Sequence, residues 1–241
     1  MKNHVPIIFP HERFSFNNKD LLNDISAHLK DILTNNRKVI HVAAGAAIFS
    51  AGDSPLGIYR ILQGKVKKST VSVMQKEHIF YICGELEYLG YHALLSGEHY
   101  VDTATAMVDC EMEFIASDVM QIIMEQSQTF NLKLLRSLSH EFVVFVSAST
   151  ALANYTVRER TALNLLILEH KFRKITGSKT EIIISREDLA SMVGTATESL
   201  VRMLKHFKEE GLITTVKRSI FIEDYQGLVL VSDLRHNAVI Q

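Results

Sequence analysis

Residues Ser185–Ile213 read SREDLASMVGTATESLVRMLKHFKEEGLI and contain two short helical patterns separated by a glycine. The first pattern opens with Ser185 and Asp188, a spacing at which a serine hydroxyl accepts a hydrogen bond from an amide of the first helical turn. One short apolar face then precedes Gly194: Leu189, Met192 and Val193. This pattern predicts a short amphipathic helix that ends at Gly194.

A second helix is predicted to begin directly after this glycine and to end at Gly211. The spacing Thr195-x-x-Glu198 predicts that Thr195 caps its first turn. Its inner stripe is apolar: Leu200, Met203, Leu204 and Phe207. Two short helices joined by a tight turn, with long polar side chains on the second, predict a helix-turn-helix that reads DNA.

The outward face of the second helix carries the candidate base contacts. Four charged residues share it at helical spacing: Glu198, Arg202, Lys205 and Glu209. Arg202 can donate two hydrogen bonds to O6 and N7 of guanine, and Glu198 can accept one from N4 of cytosine. The alternatives are that these two residues form only a surface pair, or that Glu198 only closes a capping box.

Further polar residues are candidates for phosphate or secondary base contacts: Arg186, Thr195, Thr197, Ser199 and Lys205. After Ile213, two β-rich runs around Lys217 and Arg218 predict a hairpin, or wing, with both cations at its tip. These two cations are weaker candidates, since a charged hairpin tip is usually just solvated.

The order Arg186, Gly194 and Glu198-Ser199-x-x-Arg202 resembles the DNA-binding signature of the CRP/FNR family of bacterial transcription regulators. The resemblance implies an α+β protein with an N-terminal β-roll (jelly-roll-like) sensor domain, a long dimerisation helix and a C-terminal winged helix-turn-helix domain. It also implies a homodimer bound to a palindromic double-stranded operator, with RNA polymerase as a partner if the protein is an activator. We place the three parts at residues 1–128, 129–154 and 155–241.

Composition limits the function classes. The chain has 241 residues, a hydrophobic fraction of 47% and a net charge of −1, so nucleic-acid affinity has to come from a few locally placed cations. We expect a cytoplasmic protein without membrane contact, because no leader or sufficiently long apolar span is recognisable.

No nucleophile, phosphate-loop or zincin motif occurs, so an enzyme is not expected. The alternative from another class is a ligand-binding or protein-interaction module whose helix-turn-helix is structural.

The region after Lys38 has the pattern of an all-β domain. Short β-rich runs alternate with the turn glycines Gly45, Gly52 and Gly64, which predicts a roll or barrel. The segment GAAIFSAGD…GIYRILQGKVKKS resembles the opening of the cyclic-nucleotide-binding β-roll. Turn glycines alone fit any all-β domain. Helices are predicted over Asp20–Leu33 and, after the strands, from about Thr129 to Leu152.

The long helix carries an apolar seam at alternating spacings of three and four residues: Leu135, Leu138, Phe142, Phe145, Ser149 and Leu152. This spacing is typical of two helices that coil around each other. The same stripe can instead pack on the chain's own β-roll. A second apolar side is supplied by Leu134, Val143, Val144 and Val146, and we therefore expect both a dimer and a roll contact.

The effector site departs from the family pattern. Relatives that bind cyclic AMP hold its phosphate with a Gly-Glu-Leu segment followed by an arginine, but here the counterpart is Gly90-Tyr91-His92, and Tyr100 or Val101 replaces the arginine. Asp102 adds a negative charge, so we expect no cyclic AMP binding of the usual kind. The candidate pocket residues lack a placed cation, so they suit either a neutral or cationic effector or a pocket closed by its own side chains. They are Gly90, Tyr91, His92, Tyr100, Val101, Asp102, Thr103 and Thr105.

No cofactor or metal is expected. The two cysteines, Cys83 and Cys110, are too few for the iron–sulfur cluster that some family members carry on clustered N-terminal cysteines. They are either inert buried thiols, which we favour, or a redox switch. The 11 histidines are scattered singly, without metal-ligand spacing.

Overall fold

The structure is a computed structural model that describes residues 9–173 and 179–232. It divides into two compact units. The first unit is Phe16–Phe142, and the second contains the described residues from Val143 onward together with residues 9–15. The domain boundaries placed at 128 and 154 from the sequence stay predictions, and the described part of the N-terminal arm up to Ser15 belongs to the second unit.

The first unit is built on two four-stranded sheets whose strand pairs are all antiparallel. Their orders are β1-β8-β3-β6 and β2-β7-β4-β5. Both faces of the central strands are covered. Ile61 and Met112 lie opposite each other on one face, whereas Ile115, three positions along the strand, lies on the other face, and all three are fully buried. The bounds are β1 Lys38–Val42, β2 Ala47–Phe49, β3 Gly57–Gln63, β4 Val66–Val71, β5 Glu77–Cys83, β6 Tyr88–Leu89, β7 Thr103–Ala106 and β8 Cys110–Ala116.

Helices cover one side of these strands: α1 Ala27–Asn36, α2 Tyr91–Ser96, α3 Ser117–Gln126 and the first part of α4, Gln128–Asn154. The predicted start of the helix over Asp20–Leu33 is wrong. The helix begins only at Ala27, because Ser26 accepts a hydrogen bond from the Leu29 amide and caps it. The apolar residues before the cap are nevertheless buried in the same core: Leu21, Leu22 and Ile25.

The turn between β3 and β4 depends on Gly64. Its φ is 116°, and a Cβ atom there would lie 2.5 Å from the Cys110 Sγ atom, so no other residue fits without a shift. Cys110 and Cys83 are both buried, and burial raises the pKa of the Cys110 thiol. This environment is that of an unreactive thiol.

The second unit contains the end of α4 and a helical domain with a small antiparallel sheet of order β10-β11-β9. Its elements are α5 Val157–Phe172, β9 Ile182–Ile183, α6 Arg186–Val193, α7 Thr197–Glu209, β10 Ile213–Val216, β11 Ser219–Ile222 and α8 Tyr225–Val231. A short 3-10 turn, His11–Phe14, packs on α5. Within the described ranges, none of the helices is both long and apolar enough to cross a membrane.

Candidate DNA-binding interface and effector pocket

The first helix of the motif, α6, begins at a serine cap and ends at a left-handed glycine. Ser185 Oγ accepts a hydrogen bond from the Asp188 amide at 2.9 Å, as the sequence predicts. Gly194 has a φ of 69°, and its amide donates to the Ala190 carbonyl, which closes the helix. A Cβ atom at Gly194 would lie 2.9 Å from Leu152 Cδ1. Glycine is therefore favoured here by conformation and by close approach.

The second helix, α7, begins at Thr197 with Ala196 at its N-cap, and no side chain caps it. The prediction that Thr195 caps this helix is therefore wrong, because Thr195 remains in the glycine turn and its amide donates to Ala190. The inner stripe is as predicted, with Met203 half-buried and the other three residues buried: Leu200, Leu204 and Phe207. This burial fixes which face of α7 points outward.

The outward face of α7 is exposed at all four predicted charged positions: Glu198, Arg202, Lys205 and Glu209. Arg202 Nη2 donates to Ser199 Oγ at 3.2 Å, and Lys205 Nζ lies 3.7 Å from Glu209 Oε1. No ion pair joins Glu198 to Arg202 within the described residues. Both side chains are thus presented at the first two turns of the helix, where a major groove is read.

The wing is the hairpin of β10 and β11, whose turn is Lys217-Arg218. Lys217 has a φ of 54°, a left-handed conformation that non-glycine residues adopt at a cost. The Arg186 guanidinium donates to the carbonyls of Lys217 at 3.3 Å and Arg218 at 3.5 Å. Arg186, which the sequence suggests as a phosphate contact, therefore also fixes the wing, while both wing-tip cations are exposed.

Arg160 on α5 ties the end of α4 to the turn of the motif, and sequence reasoning missed it. Its Nε donates to Val193 O at 2.8 Å, and its Nη1 donates to Tyr155 O at 2.7 Å. Longer bonds reach Leu152 O at 3.2 Å and Gly194 O at 3.4 Å. One guanidinium thus contacts the C-terminal carbonyls of two helices, where a cation is favoured.

A neighbouring arginine supports the other end of α7. Arg158 makes two hydrogen bonds with Glu210, at 2.8 and 2.6 Å, and its guanidinium lies 5.0 Å from the ring centre of Phe207. These hydrogen bonds hold the pKa of the Glu210 carboxyl below its ordinary value. The motif is therefore anchored on α5 at two places. Arg158 holds the C-terminal end of α7, and Arg160 holds the turn at Gly194 that precedes α7.

The first unit contains a cavity of about 430 Å³ beside α2. Five of the eight predicted pocket residues line it: Gly90, His92, Tyr100, Val101 and Asp102. The other three are not among the lining residues. Tyr91 is buried, Thr103 Oγ1 accepts a hydrogen bond from the Ala51 amide at 3.1 Å, and Thr105 is half-buried in β7.

The cavity has a cation that sequence reasoning missed, so the expectation of a pocket without a placed cation is wrong. Lys68 lines the cavity, and its Nζ lies 3.5 Å from Asp102 Oδ2. Both side chains are nearly inaccessible, at 5% and 10% exposure. Lys68 lies on β4 opposite Ala104 of β7, and only this strand pairing brings it beside Asp102.

One wall of the cavity is linked to α4 through a buried carboxylate. Glu141, 2% exposed, accepts hydrogen bonds from Tyr91 Oη and, at 3.3 Å, from Ser137 Oγ. Its other oxygen lies 2.6 Å from His92 Nε2. Burial and the Glu141 charge raise the pKa of Tyr91 well above its ordinary value, so this phenol stays protonated and donates. His92 thus belongs both to the cavity and to the attachment of α2 on α4.

The predicted seam of α4 is largely exposed. Leu135 is 61% exposed, Phe142 71% and Phe145 36%. Ser149 and Leu152 are exposed as well, whereas Leu138 is half-buried against the core of the first unit. Of the predicted second apolar side, Leu134 and Val144 are buried, whereas Val143 and Val146 are 48% and 49% exposed. An exposed row of large apolar side chains on a long helix is typical of an interaction surface.

Two family models match the chain. A Crp-like helix-turn-helix domain matches residues 159–230, and a cyclic nucleotide-binding domain matches residues 39–127. The two matches fall on the two parts whose geometry is described above, in the order that the sequence resemblance implies. The chain belongs to the CRP/FNR family. It is accordingly a CRP/FNR-type transcription regulator with a helix-turn-helix DNA-binding domain.

Curated relatives agree with this assignment. The anaerobic regulatory protein of Haemophilus influenzae is 26% identical over 188 residues, which cover 76% of this chain and 71% of that protein. The fumarate and nitrate reduction regulatory protein of Escherichia coli K12 is 23% identical over 202 residues, which cover 81% of this chain and 79% of that protein.

Solved CRP/FNR-type structures share the fold. FixK2 from Bradyrhizobium japonicum superposes with a TM-score of 0.73 at 17% identity, covering 81% of this chain and 96% of that one. A CRP-family transcriptional regulator from Thermus thermophilus superposes with a TM-score of 0.69 at 21% identity, covering 80% of this chain and 96% of that one. The predicted combination of β-roll, long helix and winged helix-turn-helix is confirmed as the CRP/FNR fold.

Proposed function

We propose that the protein is a homodimer that binds a palindromic operator sequence-specifically, with α7 of each protomer in the major groove. The observation that supports this most is the division of α7 into two faces. Leu200, Leu204 and Phe207 are buried, while Glu198 and Arg202 are exposed in its first two turns. A helix so oriented presents its N-terminal polar residues to base edges.

In this proposal, Arg202 binds O6 and N7 of a guanine, and Glu198 accepts from N4 of a cytosine. The cations of the wing tip, Lys217 and Arg218, contact phosphates and give affinity without sequence preference. Arg186 acts mainly through the wing, since its guanidinium donates to both wing-tip carbonyls. Thr195, Thr197, Ser199 and Lys205 remain candidates for phosphate or secondary base contacts.

The seam of α4 supports the homodimer. Large apolar side chains of one helix are exposed at Leu135, Phe142, Phe145 and Leu152. Burial of such surface contributes about 25 cal/mol per Å², against which the entropy lost on association counts. A parallel pair of α4 helices places the two recognition helices on successive turns of the duplex, about 34 Å apart. If the protein activates transcription, RNA polymerase is a further partner.

We further propose that the cavity is not a cyclic AMP site of the usual kind. Tyr100 and Val101 stand where an arginine is needed, and the cation that is present, Lys68, lies beside the Asp102 carboxylate. A phosphate here meets a cation whose charge is already balanced, and it loses charge-assisted bonds that contribute about 1.5–3 kcal/mol each.

Selection of bound DNA from a random pool, followed by gel-shift titration, tests the DNA proposal. We expect a two-fold symmetric consensus with a guanine in each half-site, and tight binding only to DNA that carries both half-sites. Recovery of no consensus would contradict the proposal and support the alternative of an interaction module with a structural helix-turn-helix. Calorimetry with millimolar cyclic AMP and cyclic GMP tests the effector part, where micromolar binding of either would contradict it.

A further inference from the structure

The Lys68–Asp102 pair in the cavity is incompletely satisfied. Its N–O distance of 3.5 Å is longer than the 2.7–2.9 Å of a charge-assisted hydrogen bond. Asp102 Oδ2 is buried and has no hydrogen-bond partner among the residues that the structure describes. The Lys68 ammonium otherwise lies 5.5 Å from the Phe80 ring centre. Both residues line the cavity. Two buried opposite charges that are only loosely paired keep unused bonding capacity, which is costly unless a further group meets it.

The two charges restrict what can meet this capacity. A simple anion that approaches Lys68 is repelled by Asp102, and a simple cation that approaches Asp102 is repelled by Lys68. A neutral apolar molecule leaves both groups unsatisfied. A zwitterion with neighbouring negative and positive groups satisfies both, because its carboxylate accepts from the ammonium while its own ammonium donates to the carboxylate.

Apart from the half-buried His92 and the exposed Ser96, Glu98 and His99, the remaining walls of the cavity are apolar. Phe49 and Tyr100 stack with ring centres 3.8 Å apart, and Leu95, Ala93 and Leu138 complete this part of the lining. The volume of about 430 Å³ lies in the range of small-molecule sites. These walls suit an apolar substituent that extends from the charged end of a ligand.

We propose that the cavity binds a zwitterionic α-amino acid with an apolar side chain, whose carboxylate pairs with Lys68 and whose ammonium pairs with Asp102. This inference rests on the proposed function in that it takes the cavity as the effector site of the regulator. His92 lines the cavity and bonds Glu141 of α4, so a bound ligand touches the contact that attaches α2 to the dimerisation helix.

The test is calorimetric titration of the full-length protein with matched probes. Leucine and phenylalanine are the zwitterions, 4-methylpentanoate and 3-phenylpropanoate carry only the negative charge, and 3-methylbutylamine and 2-phenylethylamine carry only the positive charge. At least one zwitterion should bind, and each of its single-charge counterparts should bind at least about tenfold more weakly. Failure of both zwitterions at millimolar concentration, or equal binding of a single-charge counterpart, would overturn the proposal.

Variants of the pair give a second readout. Lys68→Met and Asp102→Asn should each weaken zwitterion binding at least about tenfold. Lys67→Met is the matched control, because Lys67 is the next residue on β4 but pairs with Glu77 at 2.9 Å and is absent from the cavity lining. It should leave the dissociation constant unchanged. An unchanged constant in both pair variants would refute the assignment.

Folding and function are controlled separately. Thermal unfolding and gel shift on the selected operator are measured for every variant, and if a pair variant fails to fold, the probe series on the unaltered protein decides alone. DNA binding without zwitterion binding would refute this inference and leave the proposed regulator intact. Zwitterion binding without any DNA consensus would refute the DNA proposal and leave the ligand assignment.

Discussion

Replacement of Arg160 by alanine should destabilise the second unit and weaken operator binding together. The guanidinium donates to four carbonyls, and its two short bonds, at 2.8 and 2.7 Å, connect Val193 at the end of α6 with Tyr155 after α4. Hydrogen bonds from a charged donor contribute about 1.5–3 kcal/mol each. Because Arg160 is only half-buried and water can reach part of the site, we expect a total loss of about 2–3 kcal/mol.

Urea unfolding, followed by circular dichroism, measures this loss as a midpoint that falls by roughly 1–2 M for a unit of this size. Gel shift on the selected operator should show weaker binding, because the turn at Gly194 loses its attachment to α4. Arg160→Lys is the control, since it keeps the charge but cannot reach four carbonyls. Its urea midpoint and its operator affinity should lie between those of the unaltered protein and those of Arg160→Ala. An unchanged urea midpoint and an unchanged operator affinity for Arg160→Ala would show that the hydrogen bonds of Arg160 do not position the motif.

Three further predictions concern separate parts of the molecule. Arg202→Ala should reduce preference for one guanine by about 1–3 kcal/mol, whereas Lys217→Ala should weaken binding to all sequences evenly and lower its salt dependence. Gel shifts at several salt concentrations distinguish the two effects. The same sequence and salt profile for both variants would contradict the assignment. Phe142→Asp should give a folded monomer in sedimentation, since this side chain is 71% exposed; a dimer of undiminished affinity would contradict the seam. Burial and His11 lower the pKa of His170, so the unfolded chain binds more protons, and stability should fall as the pH drops below about 6.5; His170→Phe should flatten that slope, and an unchanged slope would contradict it.

The sequence predicted those features that short-range chemistry determines. The cap at Ser185, the end of α6 at Gly194 and the buried stripe of α7 follow from residues within four positions of one another. The apolar stripe of α4 was recognised for the same reason, because its spacing lies within one helix, but its role as a dimer interface stays a prediction. Turn glycines such as Gly64 likewise predicted where strands end.

The features that the sequence did not predict depend on contacts between distant residues. Lys68 meets Asp102 only because β4 pairs with β7, and Arg160 reaches Val193 across 33 positions of the chain. Neither residue belongs to a local pattern that could have indicated its role. The start of α1 was misjudged because Ile25 and the leucines before it have helical spacing but are buried in turns ahead of the Ser26 cap. Thr195 was misassigned because the left-handed Gly194 keeps it in the turn.

The central claim is that exposed residues of α7 read DNA bases in a symmetric operator. The most direct measurement is a gel-shift titration of the unaltered protein and of Arg202→Ala against the selected operator and the three operators that carry another base at its proposed guanine position. The unaltered protein should prefer guanine there by at least about tenfold, and the variant should bind all four bases with similar affinity. If Arg202→Ala, correctly folded, keeps the full preference for guanine, α7 does not read the operator through this residue and the account is contradicted.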